Sequence, residues 1–99
     1  MIPTHRHLDT SEEVIILRGE VEEILYNDSG EETERIHLLT GGDVVAVHVP
    51  KGCYHTCRSL RSGSVIMELH GCYVIRWVIG NSNKTYLVFK AQWPFRTTE

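Results

Sequence analysis

Residues 12–30, Glu-Glu-Val-Ile-Ile-Leu-Arg-Gly-Glu-Val-Glu-Glu-Ile-Leu-Tyr-Asn-Asp-Ser-Gly, contain two short apolar runs that are each closed by turn-forming residues. Residues 14–17 and 21–26 are rich in Val, Ile and Leu, and β-branched side chains favour strands. Arg18-Gly19 and residues 27–30 supply turn residues behind each run. The stretch therefore predicts two strands paired as a β-hairpin, with Arg18-Gly19 as the tight turn.

The same alternation of short apolar runs and turn residues continues to the end of the chain. Further strands are predicted at residues 35–39, 44–49, 54–60, 65–70, 73–79 and 85–90. No window of eleven or more residues keeps a period of 3.6, so helix is at most a minor component. The 99 residues predict one all-β domain with a C-terminal hairpin and tail at about 71–99, where Trp93-Pro94-Phe95 is expected to pack on the body of the domain.

Composition and charge exclude several classes of function. With 41% hydrophobic and 23% charged residues, the chain has the composition of a globular protein, and its net charge of −3 with scattered basic residues argues against nucleic-acid binding. No uncharged apolar run approaches the length of a membrane span, and residues 1–7 have no apolar core of a signal peptide. Cys53, Cys57 and Cys72 lack a CxxC spacing, so a cytoplasmic protein without disulfides is expected.

The six histidines are the main chemical signal, and two of them form His5-Arg6-His7. In a strand, residues i and i+2 point to the same face, so both imidazoles can reach one point. After a predicted turn at residues 8–11, Glu12 begins the next strand and returns antiparallel beside the histidines. Imidazole and carboxylate groups together suit Fe(II), Mn, Ni, Co or Zn. Taken alone, this pattern is also that of a solvated surface.

A second histidine-bearing corner favours the metal hypothesis. Pro50-Lys51-Gly52 is followed after two residues by His55, again where a strand is predicted to begin. These two pieces resemble the cupin superfamily, whose first motif is G-x5-HxH-x3–4-E-x6-G and whose second is G-x5-PxG-x2-H-x3-N. The spacing from His5 through Glu12 to Gly19 fits the first motif, and Pro50 to His55 fits the second.

Three positions depart from these motifs. The leading glycine of the first motif is missing, Gly42 stands eight positions before Pro50 where the motif has six, and Ser59 occupies the place of the closing Asn. Related barrels have strands before the HxH, so either N-terminal strands are lacking or a partner chain supplies the missing edge. A homodimer is the expectation.

The resemblance implies a cupin-type double-stranded β-helix, or jelly-roll barrel, with one divalent metal ion on His5, His7, Glu12 and His55. Within the superfamily, the chain is similar to the WbuC-type cupin-fold metalloproteins, which are associated with surface-polysaccharide assembly. Residues 14–19 and 34–36, Gly71-Cys72-Tyr73, Phe89 and Trp93-Pro94 carry that similarity.

Other side chains are weaker candidates. Glu68 and His70 share one face of a predicted strand, and an inward Glu68 would be a candidate general base. Tyr73 is a candidate for proton transfer at the pocket rim, although a strand tyrosine is more often a packing residue. Cys57 shares the face of His55 and either lines the pocket or fills the core. His37 and His48 are expected to be structural.

Two functions compete on this pattern, and a third makes no use of metal. The first is an enzyme acting on a sugar or nucleotide-sugar, either isomerase- or epimerase-like or an Fe(II)-dependent dioxygenase. The second is a non-catalytic, metal-dependent module that binds a small ligand, and the third is a domain for assembly alone. An inward Glu68 would favour catalysis over binding.

Overall fold

The computed structural model describes residues 4–71, 73–80 and 85–92, and for Tyr73, Val74 and residues 85–92 it describes the backbone alone. These residues form eight strands and no helix, which confirms an all-β chain. In chain order, the strands are β1 Glu12–Arg18, β2 Glu20–Tyr26, β3 Glu32–Leu39, β4 Ala46–Val49, β5 Tyr54–Ser59, β6 Ser64–His70, β7 Tyr73–Ile79 and β8 Thr85–Gln92. No described segment is an apolar helix long enough to cross a membrane.

The strands form two antiparallel sheets. One has the order β4-β1-β6-β7-β8 and the other the order β3-β2-β5. Buried side chains of both sheets form one apolar cluster, so the two sheets pack face to face as in a β-sandwich. Its buried members are Val14, Ile16, Val49, Ile66 and Ile79 from the five-stranded sheet, and Val21, Leu38 and Cys57 from the three-stranded sheet.

The hairpin predicted between the first two strands is wrong. β1 pairs with β4 and β6, whereas β2 pairs with β3 and β5, so the two strands belong to different sheets. Only Gly19 separates β1 from β2. A tight hairpin needs a loop of at least two residues. The single residue instead turns the chain through a corner from one sheet to the other.

Gly19 is suited to this corner because it lacks a side chain. Its φ of +86° lies in the left-handed region, and a Cβ placed on it would lie 2.4 Å from the hydroxyl oxygen of Ser64. That hydroxyl is buried and accepts a hydrogen bond from the backbone N–H of Glu20 at 3.1 Å. The corner thus packs directly on the start of β6, and any larger residue would disturb both.

The N-terminal arm, residues 4–7, pairs with the three-stranded sheet. His5 and His55 exchange two backbone hydrogen bonds of 3.0 and 2.9 Å, and the carbonyl of His7 accepts a 2.8 Å bond from the N–H of Gly52. The guanidinium of Arg6 lies 4.5 Å from the ring centre of Tyr54. The expected pairing of the arm with the strand of Glu12 is therefore wrong, because the arm is an edge of β5 and residues 8–11 cross to the other sheet.

The remaining strands form where they are predicted, although β3 begins at Glu32, three residues before its expected start. The strand expected at residues 44–49 is shorter, since Val44 and Val45 are exposed and precede β4. The expected C-terminal hairpin forms as β7 and β8, which extend the five-stranded sheet beyond β6. Residues 81–84 of its turn and the tail from Trp93 to Phe95 lie outside the described residues.

Candidate metal centre

The four residues predicted as metal ligands come together at one end of the space between the sheets. Each of His5, His7, Glu12 and His55 offers a ligand atom, and these atoms all lie within 4.8 Å of one another. The arm supplies two of them, β1 supplies Glu12, and β5 supplies His55. Glu12 and His55 are 1% and 2% exposed, so an ion held here would be largely shielded from solvent.

The buried polar atoms of this cluster lack the hydrogen bonds that such atoms normally make. The Nε2 atoms of His7 and His55 and both carboxylate oxygens of Glu12 have no hydrogen-bond partner. One oxygen of Glu12 lies 2.8 Å from His7 Nε2 without the alignment of a hydrogen bond, and the other lies 3.7 Å from His55 Nε2. Buried polar atoms left unpaired are costly. A divalent cation would satisfy all four at once, so this group could hold a metal ion.

Glu23 is the residue of this site that the sequence analysis missed. It lies in β2, is 1% exposed, and its carboxylate is 2.7 Å from Nδ1 of His55. For Nε2 of His55 to act as a ligand, Nδ1 must carry the proton, and Glu23 is placed to accept that hydrogen bond. The period-two pattern contained the signal, because Glu23 shares a strand face with Val21 and Leu25, which are both apolar.

Burial favours the uncharged forms of Glu12, His7 and His55 in the metal-free centre. Desolvation, reinforced by Glu68 and Glu23, raises the pKa of Glu12 to about 9. Desolvation lowers the pKa of His55 to about 4, and it also lowers the pKa of His7, with help from His5 and His55. His7 and His55 are thus in the neutral form that binds metals, whereas Glu12 must lose a proton. Metal binding at neutral pH is therefore coupled to proton release.

Glu68 faces the same cluster, which is the inward orientation that the sequence left open. It is 4% exposed on β6, and its ligand atom lies within 4.8 Å of those of Glu12 and His70. Burial raises the pKa of Glu68 to about 7, with His5 opposing the rise and Glu23 adding to it. The ring of His70 stacks on that of His7, with centroids 4.4 Å apart. Glu68 is thus available to hold or release a proton near neutral pH.

The other candidates fall in different places. Cys57 is 2% exposed and belongs to the apolar core, and burial raises the pKa of its thiol. Exposed His37 and His48 pair with the carboxylates of Glu20 and Glu13 outside this cluster. The backbone of Tyr73 lies opposite His70 in the register of β6 and β7, but its side chain lies outside the described residues.

The side chains of the centre differ in their exposure to solvent. Glu12, Glu23, His55 and Glu68 are buried, whereas His5, His7 and His70 are each partly exposed. The arm and the end of β6 therefore form the rim of the site. A small molecule approaching from this side would meet the imidazoles first and the carboxylates behind them.

Comparison with known proteins adds one match. Residues 1–38 match a family described as a domain of unknown function, DUF6016. No curated protein matches the chain. No solved structure matches it either. The matched segment contains the arm, Glu12, Gly19 and Glu23, but not His55 or Glu68.

Proposed function

We propose that this protein is a cupin-type metalloprotein that binds one divalent ion on His5, His7, Glu12 and His55. The observation that carries the proposal is the convergence of four buried ligand atoms from His7, Glu12 and His55 that make no hydrogen bond. They come from three separate segments, and two of those segments lie in different sheets. Chance burial of so many unpaired polar atoms is disfavoured in a stable domain, so a shared ion is the simplest account.

Two facing antiparallel sheets are compatible with a jelly-roll barrel, and the motif spacings support the cupin assignment. The glycine that ends the first motif coincides with Gly19, where a side chain would collide with Ser64. The Pro-x-Gly of the second motif coincides with the corner that binds the arm, through the N–H of Gly52. Gly19 and Gly52 thus each have a structural role at a motif position of this chain.

Catalysis is favoured over simple ligand binding by the position of Glu68. A bound divalent ion would polarise a carbonyl or hydroxyl oxygen of a ligand. Glu68 would take a proton from that ligand or return one, and its pKa of about 7 suits both directions. Glu23 would keep the His55 ring oriented, and the sheets would exclude water from the inner side. An isomerase- or epimerase-like reaction needs such a proton carrier.

We further propose an oxygen-rich small molecule, a sugar or nucleotide-sugar, as the substrate. The support for this class is the resemblance to cupins associated with polysaccharide assembly, together with a partly exposed rim of imidazoles that can bind hydroxyl groups. The substrate would enter from the side of His5, His7 and His70. The alternative function, a metal-dependent binding module, requires the same ion but no proton carrier.

The metal content of untagged protein tests the centre. We expect close to one divalent ion per chain after purification and dialysis, and its loss in His55→Ala. His48→Ala is the matched control, since His48 is exposed and pairs with Glu13 away from the centre. Equal metal in the wild type, His55→Ala and His48→Ala would show that the proposed ligands are wrong.

A second experiment separates enzyme from binding module. Metal-loaded protein is screened against sugar nucleotides for a rise in melting temperature. Any compound that binds is then followed for turnover with the wild type and Glu68→Gln. We expect Glu68→Gln to keep the thermal shift and to lose turnover at least 100-fold. Undiminished turnover would remove Glu68 from the chemistry, and binding without turnover in the wild type would favour the binding module.

A further inference from the structure

Glu12 belongs to a second group of metal-ligating side chains. Its ligand atom and those of Glu68 and His70 all lie within 4.8 Å of one another. The register of β1 and β6 explains this, because Glu12 lies directly opposite His70, and Glu68 lies opposite Val14, one inward position further along. Both carboxylates are at least nine-tenths buried, so the group is not an acidic surface patch.

Two further observations point to an ion in this second group. Both oxygens of the Glu12 carboxylate lie near imidazole nitrogens but make no hydrogen bond, so each can bind a cation. The rings of His7 and His70 stack at 4.4 Å with an angle of 18° between their planes, and each ring belongs to a different group. The stacking places one imidazole of each group side by side, so ions held by the two groups would be neighbours.

The charge of the pocket is consistent with more than one cation. Glu12, Glu23 and Glu68 place three carboxyl groups in one buried region, and the histidines there are neutral ligands. A single divalent ion balances only two carboxylates. The third would have to stay protonated or find another positive charge, since an unpaired buried carboxylate is strongly disfavoured.

We propose that the pocket holds a second divalent cation on Glu12, Glu68 and His70, with the Glu12 carboxylate shared between the two ions. This inference rests on the proposed first site, because the shared carboxylate is one of its ligands. Two carboxylates and one imidazole suit a hard or borderline ion such as Mn(II), Fe(II) or Zn(II). Glu68 cannot bind an ion and carry a proton at once, so occupancy of the second position decides which role it has.

Metal titration tests the second site. Metal-stripped, untagged protein is equilibrated with Mn(II) at free concentrations from micromolar to millimolar, and bound ion per chain is measured. We expect two ions per chain for the wild type, and one for both Glu68→Gln and His70→Ala. His37→Ala is the control for a histidine that pairs with a surface glutamate, and it should keep two.

The outcomes are distinguishable. One ion in the wild type at every concentration would overturn the second site and leave the first intact, whereas no bound ion would overturn both. Two ions in both Glu68→Gln and His70→Ala would place the second ion elsewhere on the surface. Electron paramagnetic resonance of the wild type needs no variant: two Mn(II) ions sharing Glu12 give a spin-coupled spectrum, and isolated ions would contradict the proposal.

Discussion

The two ends of the space between the sheets are built by the same strands but have opposite chemistry. One end is apolar, and the other carries the candidate metal centre. On each of four strands, two inward residues that are two positions apart differ in kind: one lies in the apolar core, and the other is a carboxylate or imidazole of the polar end. The pairs are Val14 and Glu12 on β1, Val21 and Glu23 on β2, Cys57 and His55 on β5, and Ile66 and Glu68 on β6.

The apolar end stabilises the fold, whereas the polar end contains the candidate metal centre. At the apolar end, burial of Val, Leu and Ile side chains stabilises the fold at roughly 25 cal/mol per Å². At the polar end, the same degree of burial removes carboxyl and imidazole groups from water without giving all of them partners. The apolar end thus holds the sheets together, while the polar end carries an energetic cost that a bound cation would offset.

One substitution in the apolar core and one in the metal centre should change the free energy of unfolding of the metal-free protein in opposite directions. Ile66→Ala leaves a cavity in the core, and we expect it to lower the free energy of unfolding by about 2–5 kcal/mol. Glu12→Met replaces a buried carboxyl group by an apolar chain of similar length, and it should raise that free energy by about 1–3 kcal/mol. Urea unfolding in the presence of a chelator measures both.

The same two variants should also differ in whether they bind metal. We expect Ile66→Ala to retain its metal and Glu12→Met to lose it. If Glu12→Met destabilised the chelated protein as much as Ile66→Ala does, the idea that the polar end carries an energetic cost would be wrong.

The corner at the apolar end offers a test of packing that spares the metal. Gly19→Ala should lower the free energy of unfolding by about 3 kcal/mol, because it combines left-handed strain with a collision against Ser64. Gly30→Ala has a similar φ of +83° and open space around its Cβ, so it should cost only about 1 kcal/mol. Thermal unfolding checks both, and metal content should be unchanged. If the two variants lost the same free energy of unfolding, the collision with Ser64 would not contribute to the cost of Gly19→Ala.

At the polar end, Glu23→Gln should weaken metal binding without removing a ligand. Loss of the carboxylate beside His55 Nδ1 is expected to lower metal affinity about 10- to 100-fold, measured by competition with a chelator. Glu22→Gln on the neighbouring residue is the control, because Glu22 pairs with Arg35 and Arg58 instead. Unchanged affinity in Glu23→Gln would mean that His55 is oriented by packing alone.

The pH dependence of stability should distinguish the metal-free form from the loaded form. The pKa values of Glu12 and Glu23, about 9 and 8, exceed those of the unfolded chain, so the folded state retains protons that the unfolded state releases. Between pH 7 and 9 the metal-free protein should lose about 1.4 kcal/mol of stability per pH unit for each retained proton.

The lowered pKa values of His7 and His55 act only at lower pH, because they concern protons bound by the unfolded chain below about pH 6.5. Metal-loaded protein has already released the carboxyl proton of Glu12, so its stability should fall less steeply over the same range. Urea unfolding at pH 7, 8 and 9, with and without a chelator, makes the comparison. Parallel slopes would contradict the assignment of Glu12 as a ligand.

Much of the strand content was predictable from the sequence because short-range rules govern it. Period-two burial and turn residues placed β2, β6 and β7 to within a residue of their ends. The spacing of the HxH arm, Glu12 and His55 predicted four residues whose ligand atoms do meet. Strand pairing was harder, because the same apolar run can pair with any strand of matching length.

Two features of the site depended on that pairing and could not be predicted. Glu23 was missed because its role requires β2 to lie beside β5, where it faces His55. His70 was left open because its meeting with Glu12 and His7 requires β6 to lie beside β1. Neither contact is local in the chain.

The sequence by itself therefore determined which residues alternate inward, where the chain turns, and which side chains have metal-binding chemistry, since each depends on a few neighbouring residues. Only the tertiary structure decided that β1 and β2 part at Gly19 into different sheets, and that the arm pairs with β5. Those arrangements set which carboxylates and imidazoles share one pocket. Contacts between distant segments arise from packing the whole apolar surface at once, which no local pattern specifies.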